Sequence, residues 1–138
     1  MFGDAALRHA PKTLSLLRFI AGFLFLQHGS QKILGLLGGM GGTGATAAFP
    51  ALPWFAGMLE LVGGFLLMLG VFTRPVAFVL SGLMAVAYFK AHAPSGFWPV
   101  RNRGELAALY SFVFLYLAAA GGGPWAIERL WRKKEGIR

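Results

Sequence analysis

His28, Lys32, Glu60, His92 and Glu105 are the side chains of this chain that could do chemistry inside an otherwise apolar protein. A histidine beside a carboxylate at partial burial exchanges protons near neutral pH. A lysine or a second histidine nearby can steady negative charge that develops on a bound molecule. A metal centre is a weaker reading, because His28, His92, Glu60 and Glu105 show no HxxxH or ExxH spacing and zinc needs three or four converging ligands. A Ser/His/Asp triad is weaker still, since Asp4 is the only aspartate and no serine stands in a nucleophile-elbow context. With no cysteine, thiolate catalysis, disulfide relays and cysteine-ligated metal sites are excluded.

The elements that must position these residues read as membrane spans. Residues 14–35 are long and apolar enough to cross a hydrocarbon core of about 30 Å. They nevertheless carry Arg18, Gln27, His28, Gln31 and Lys32. A charge at the centre of a membrane helix costs roughly 2.5–3.5 kcal/mol on insertion scales, so this helix needs protein partners for its polar groups. Hydrophobic residues make up 57% and charged residues 13% of the chain, with a mean hydropathy of +0.63. A typical soluble domain carries about 25% charged residues, so the bilayer is the expected solvent. The net charge of +8 does not argue for nucleic acid, because it collects at the chain ends and in short loops.

The pattern predicts one membrane domain over residues 1–138, an all-α four-transmembrane-helix bundle. Its spans are expected at residues 13–36, 52–72, 75–91 and 104–121, after a short basic leader (1–12) and before a basic tail (124–138). The first span resembles a signal peptide only superficially: its apolar run is too long, and Lys32 precedes the supposed cleavage region. Residues 38–53 form a glycine-rich connection without charge, read as flexible, with one short helical turn near Ala45–Phe49. It lacks the Lys-Ser/Thr of a phosphate-binding loop. On the second span Ala56, Glu60 and Gly64 share a face, so the acid belongs on a packed side. Thr73-Arg74-Pro75 reads as a tight turn, and Ser81, Ala85, Tyr88 and His92 share a face of the third span. Phe97 and Trp98 suit an interfacial belt, and the tail, with Trp125, Trp131 and four nearby cations, suits an anchor at an anionic leaflet.

The positive-inside rule gives the orientation. Arg8, Lys12, Arg74 and the tail cations through Arg138 fall on one side, with Lys90, Arg101 and Arg103 on the other. Both termini are therefore expected in the cytoplasm. Helical rise then places His28 and Glu60 each about 12 Å below the same outer surface, on helices expected to be neighbours. Each residue alone also has a structural explanation. Glu60 could pair with His28 or Lys32 merely to join helices, Lys32 and Lys90 could snorkel, Arg18 could reach lipid phosphates, and Glu105 suits the first turn of a helix. Their convergence from four helices favours a site.

In order and spacing the chain resembles the DoxX family of small bacterial four-helix membrane proteins. The matching residues are Leu17-Arg18, Gly22, His28-Gly29, Lys32 and Gly35 on the first span. Glu60, Gly63-Gly64, Gly70 and Thr73-Arg74 follow, then His92-x-Pro94-x-Gly96-Phe97 and Gly104-Glu105. Two departures are Arg103-Gly104-Glu105, where an aromatic residue often precedes the acid, and Glu128, where relatives often carry aspartate. The resemblance implies an inner-membrane protein of a quinone-linked oxidoreductase system, with its site drawn from Arg18, His28, Lys32, Glu60, Arg74, His92 and Glu105. In that reading His28 and Glu60 are catalytic and exchange protons with a bound quinone-like or small redox molecule. Lys32 and His92 steady negative charge, and Glu105 orients a basic neighbour. The expected partners are the bilayer and a redox enzyme or a second copy of the chain, with no metal, covalent cofactor or nucleic acid. Two other readings stand beside it: a non-catalytic membrane partner or scaffold for another enzyme, and a small transporter.

Overall fold

The structure is a computed structural model that describes residues 2–134; the final residues of the basic tail, Arg138 included, lie outside the described residues. The described residues are helical apart from loops and one isolated antiparallel bridge between Met40 and Ala45. The long helices are α1 (Phe2–Leu34), α2 (Leu52–Leu69), α3 (Thr73–Ala87) and α5 (Glu105–Ala120). A π-helical turn (Tyr88–His92) and a 3-10 turn (Ala93–Ser95) extend α3; α4 (Pro99–Asn102) leads into α5, and α6 (Glu128–Lys134) closes the described chain. Leu52–Leu69 and the run Thr73–Ser95 are long and apolar enough to cross a membrane, while α5 is a shorter apolar helix.

Three boundaries differ from those expected. The leader is not separate: α1 starts at Phe2 and runs 33 residues, roughly 50 Å at 1.5 Å per residue. Pro11 sits within it, in a stretch of strong helix formers that carries the helix past the missing donor. At the other end of the pair, α2 stops at Leu69 because Gly70 turns left-handed (φ 73°) and donates its N–H to the Leu66 and Leu67 carbonyls. The turn thus falls on Gly70–Phe72, and Thr73-Arg74-Pro75 becomes the first turn of α3. Around Ala45–Phe49 no helical turn forms. Instead the glycine-rich loop folds on itself, Met40 N–H to Ala45 carbonyl at 2.8 Å, and returns to α1, Ala47 N–H to Lys32 carbonyl at 2.7 Å.

The helices pack as two antiparallel pairs. In the α1–α2 pair, glycines bring the backbones into contact: a Cβ on Gly29 would stand 2.3 Å from Leu61 N, and one on Gly64 would stand 2.6 Å from Leu26 N. This is small-residue packing in which van der Waals contact replaces a hydrophobic driving force. The α3–α5 pair is joined by reciprocal bonds, Ser81 Oγ to the Ser111 carbonyl at 2.8 Å and Ser111 Oγ to the Ser81 carbonyl at 3.1 Å. Between the pairs lie Phe25, Leu67, Leu80, Phe114 and Leu117, all fully buried. Phe25 anchors them, edge-on to Phe114 at 4.8 Å between ring centroids. Large apolar side chains such as Phe65, Phe78 and Phe112 cover the outside, more than a water-facing surface normally carries.

Candidate functional site

Toward the end that bears the glycine-rich loop, all four long helices leave a cavity of about 340 Å³. That is within the range for small-molecule sites. Phe25, His28 and Lys32 enter it from α1, and Ala56 and Glu60 from α2. Met84, Ala87 and His92 come from α3 and its π-helical extension, and Arg103, Ala107 and Tyr110 from the α4–α5 side.

Glu60 faces inward because its neighbours on α2, Gly57 and Gly64, hold that face against α1. It is 2% exposed, and its Oε1 accepts from Lys32 Nζ at 2.6 Å. Its second oxygen, Oε2, is buried without a hydrogen-bond partner among the described residues. Buried carboxylate oxygens are ordinarily satisfied, so this one stands out among the residues that line the cavity. Lys32 is the less buried member of the pair, with 29% of its side chain exposed. It leaves two ammonium protons free to donate.

His28 lies in the same cavity, half-buried, with its ring edge-on to Phe25 at 6.5 Å. It is not hydrogen-bonded to Glu60. Of the two partners the sequence leaves open for Glu60, His28 and Lys32, it is Lys32, one helical turn further along α1, that takes the carboxylate. The reason is axial rotation, because Gly29 sits against Leu61 and turns the Lys32 side toward Glu60.

His92 is held by Nδ1 at 3.1 Å from the Asn102 carbonyl oxygen. A carbonyl only accepts, so Nδ1 carries the proton and Nε2 is the open nitrogen. His92 is thereby fixed through Nδ1 at the rim of the cavity it helps to line. Asn102, which is buried, braces the rim by donating Nδ2 to the Gly96 carbonyl at 2.7 Å and accepting from Gly104 N–H at 2.8 Å. Arg103 follows in the left-handed region (φ 58°), a conformation non-glycine residues adopt at a cost of roughly 1–3 kcal/mol. That turn brings Arg103 into the cavity lining. Sequence reasoning had assigned Arg103 to orientation only and Tyr110 to nothing. The Asn-Arg-Gly run after a short helix was the one available signal for Arg103.

The remaining expected residues stand elsewhere. Glu105 is exposed at the start of α5 and makes no ion pair among the described residues. Arg18 is buried near the opposite end. Its guanidinium donates to the carbonyls of Gly122 (Nε, 2.8 Å), Met68 (Nη1, 2.7 Å) and Leu67. Arg74 donates to the carbonyls of Ala118 (3.2 Å) and Ala119. Both arginines neutralise the carbonyl ends of helices, where cations are favoured. Neither reaches the Glu60 cavity. Among the described residues no three His, Asp or Glu side chains converge as a metal site would need.

Comparison with known proteins bears on the same segments. The family model described as DoxX matches residues 13–93, which include α2, α3 and most of α1. A protein of Haemophilus influenzae, described as uncharacterized, is 42% identical over 130 residues, covering 92% of this chain and 96% of its own length. A second uncharacterized protein of that organism is 36% identical over 74 residues, covering 54% of this chain and 49% of its own length. No solved structure matches the chain.

Proposed function

This chain belongs to the DoxX family of membrane proteins, and from that premise we propose that it binds the head group of a quinone-type carrier in the Glu60 cavity, as a component of an oxidoreductase system. It crosses the bacterial inner membrane four times, with both termini in the cytoplasm and the cavity in the outer half. The observation that carries this reading is Glu60 Oε2, a buried acceptor with no hydrogen-bond partner among the described residues, on a side chain that lines the cavity. A quinol hydroxyl is a donor of the right kind, on a ring that suits a lining of Phe25, Met84 and Tyr110.

Oxidation of a quinol to a quinone breaks two O–H bonds and releases two protons and two electrons. Glu60 Oε2 takes the first proton, and His28, on the same wall, takes the second. The electrons pass to the redox partner protein. Lys32 and Arg103 supply the positive charge that steadies the oxygens as protons leave. His92, held at the rim through Nδ1, offers Nε2 as a further polar contact. In the reducing direction the same groups return the protons.

Replacing Glu60 with Gln tests this, because the amide puts a donor where the hydroxyl must donate. Binding of decylubiquinol to the purified protein, measured by calorimetry, should weaken at least about ten-fold, the order expected when a buried polar contact is left mismatched. Unchanged affinity in a folded E60Q protein would remove the proposal.

A further inference from the structure

At the opposite end of the helices a second cavity, of about 980 Å³, opens between the start of α3, the end of α5 and α6. Arg74, Arg129, Arg132 and Lys133 line it against one carboxylate, Glu128. That carboxylate is already engaged, since its Oε2 accepts from the Thr73 backbone N–H at 3.0 Å and so caps α3. Among the described residues, none of the four cations lies within 4.0 Å of a carboxylate.

The floor is built around Arg74. Its Nη1 is anchored on the Ala118 and Ala119 carbonyls, which fixes the plane of the guanidinium. A Cβ added to Gly121 would stand 3.4 Å from Nη2 and 3.5 Å from Nε. Glycine at that position, with φ 87°, therefore keeps the Nε–Nη2 edge uncovered. That edge presents two parallel N–H donors, the geometry that grips two phosphate oxygens at once. The lip is apolar instead, formed by Phe72, Pro75 and Ala120. Phe72 is exposed and packs near Trp131, with ring centroids 6.4 Å apart. Trp125 is exposed on the same segment. A site with a cationic floor and an aromatic, apolar lip fits an amphiphile better than a fully hydrated ion.

We propose that this cleft holds the phosphate head group of an anionic phospholipid, gripped by the open edge of Arg74. Arg129, Arg132 and Lys133 surround it, and the acyl chains leave over Phe72 and Pro75. The bound lipid secures α6 to the helix ends, where Glu128 N–H already bonds the Gly70 carbonyl at 3.0 Å. The site shares no residue with the Glu60 cavity, so its fate is independent of the quinone reading.

The test is native mass spectrometry of the full chain released from nanodiscs of mixed phosphatidylglycerol and phosphatidylcholine. The wild type should retain phosphatidylglycerol in preference to phosphatidylcholine. Arg129→Gln with Arg132→Gln removes two exposed cations whose side chains make no hydrogen bond among the described residues. Retention should fall at least about five-fold, since each basic residue near an anionic surface contributes substantially. Arg74→Lys keeps the charge and loses the fork, and should lose phosphatidylglycerol while circular dichroism and melting stay close to wild type. Arg8→Gln with Lys12→Gln, equally basic but outside the cleft, should retain lipid as the wild type does. Unchanged retention in the R129Q/R132Q protein overturns the proposal, and so does an equal loss in the R8Q/K12Q control. Displacement of the lipid by millimolar inorganic phosphate alone would assign the cleft to free phosphate and overturn the lipid assignment.

Discussion

Lys32 Nζ and Glu60 Oε1 meet at 2.6 Å across the α1–α2 interface, and the other carboxylate oxygen has no hydrogen-bond partner among the described residues. The pair is asymmetric in solvent as well as in bonding: the acid is buried and the base is partly exposed. A contact whose only purpose was to join two helices would be expected to satisfy both oxygens. A half-satisfied carboxylate on a side chain that lines a cavity is the feature on which the proposed ligand site rests.

The first prediction concerns that pair. Lys32→Met strands a buried carboxylate, which costs about 3–5 kcal/mol when a buried ion pair is broken from one side, and less here because Lys32 is partly exposed. Adding Glu60→Gln to Lys32→Met should recover most of the loss. Unfolding of the two variants in mild detergent, compared with wild type, measures it; a double variant no more stable than Lys32→Met would mean that the carboxylate's isolation is not the cause.

A second concerns helix contact. Gly29→Ala drives a methyl into the Leu61 backbone, so α1 and α2 must separate, and the melting temperature should drop sharply. Gly82, on α3, has nothing within 4 Å of an added Cβ. Gly82→Ala should be neutral or stabilising by up to about 1 kcal/mol. Equal effects at the two sites would contradict the backbone contact.

Arg18 provides a third. Its bonds to the Gly122, Leu67 and Met68 carbonyls tie α1 to the ends of α2 and α5. Arg18→Met should destabilise by roughly 2–4 kcal/mol, because several buried carbonyls lose a charged donor at once. Decylubiquinol affinity of the fraction that remains folded should not change. A specific loss of ligand affinity with normal melting would place Arg18 in binding instead.

The fourth addresses orientation, and the absence of cysteine makes it simple. Single cysteines at Arg8 and at Arg101 can be labelled in intact cells with a membrane-impermeant maleimide. Arg101→Cys should react from outside and Arg8→Cys only after lysis. The reverse pattern would invert the topology and move the Glu60 cavity to the cytoplasmic half.

Much of the arrangement could be read from the chain. Helical rise placed His28 and Glu60 at a common level with Lys32 one turn above His28, and the face of Ala56, Glu60 and Gly64 was expected to pack because small residues let a backbone approach. The choice between His28 and Lys32 as the partner of Glu60 could not be read. It depends on the rotation of α1 about its axis, which the Gly29–Leu61 contact sets. Arg18 looked like a residue for lipid phosphates or ligand because its partners are carbonyls far away in sequence, at Leu67, Met68 and Gly122. Arg103 looked like a loop charge because the Asn-Arg-Gly run is only a weak local cue for a left-handed arginine.

Hydropathy and charge are sums over neighbours along the chain, so the residues alone determined that this is a helical membrane protein and that its few ionisable side chains must turn away from lipid. Hydrogen bonds and ion pairs depend on separations of a fraction of an ångström between atoms remote in sequence. Only the packed helices could decide that Lys32 holds one oxygen of Glu60, that the other is buried without a hydrogen-bond partner among the described residues, and that Arg74 lies with its guanidinium beside Gly121 at the far end.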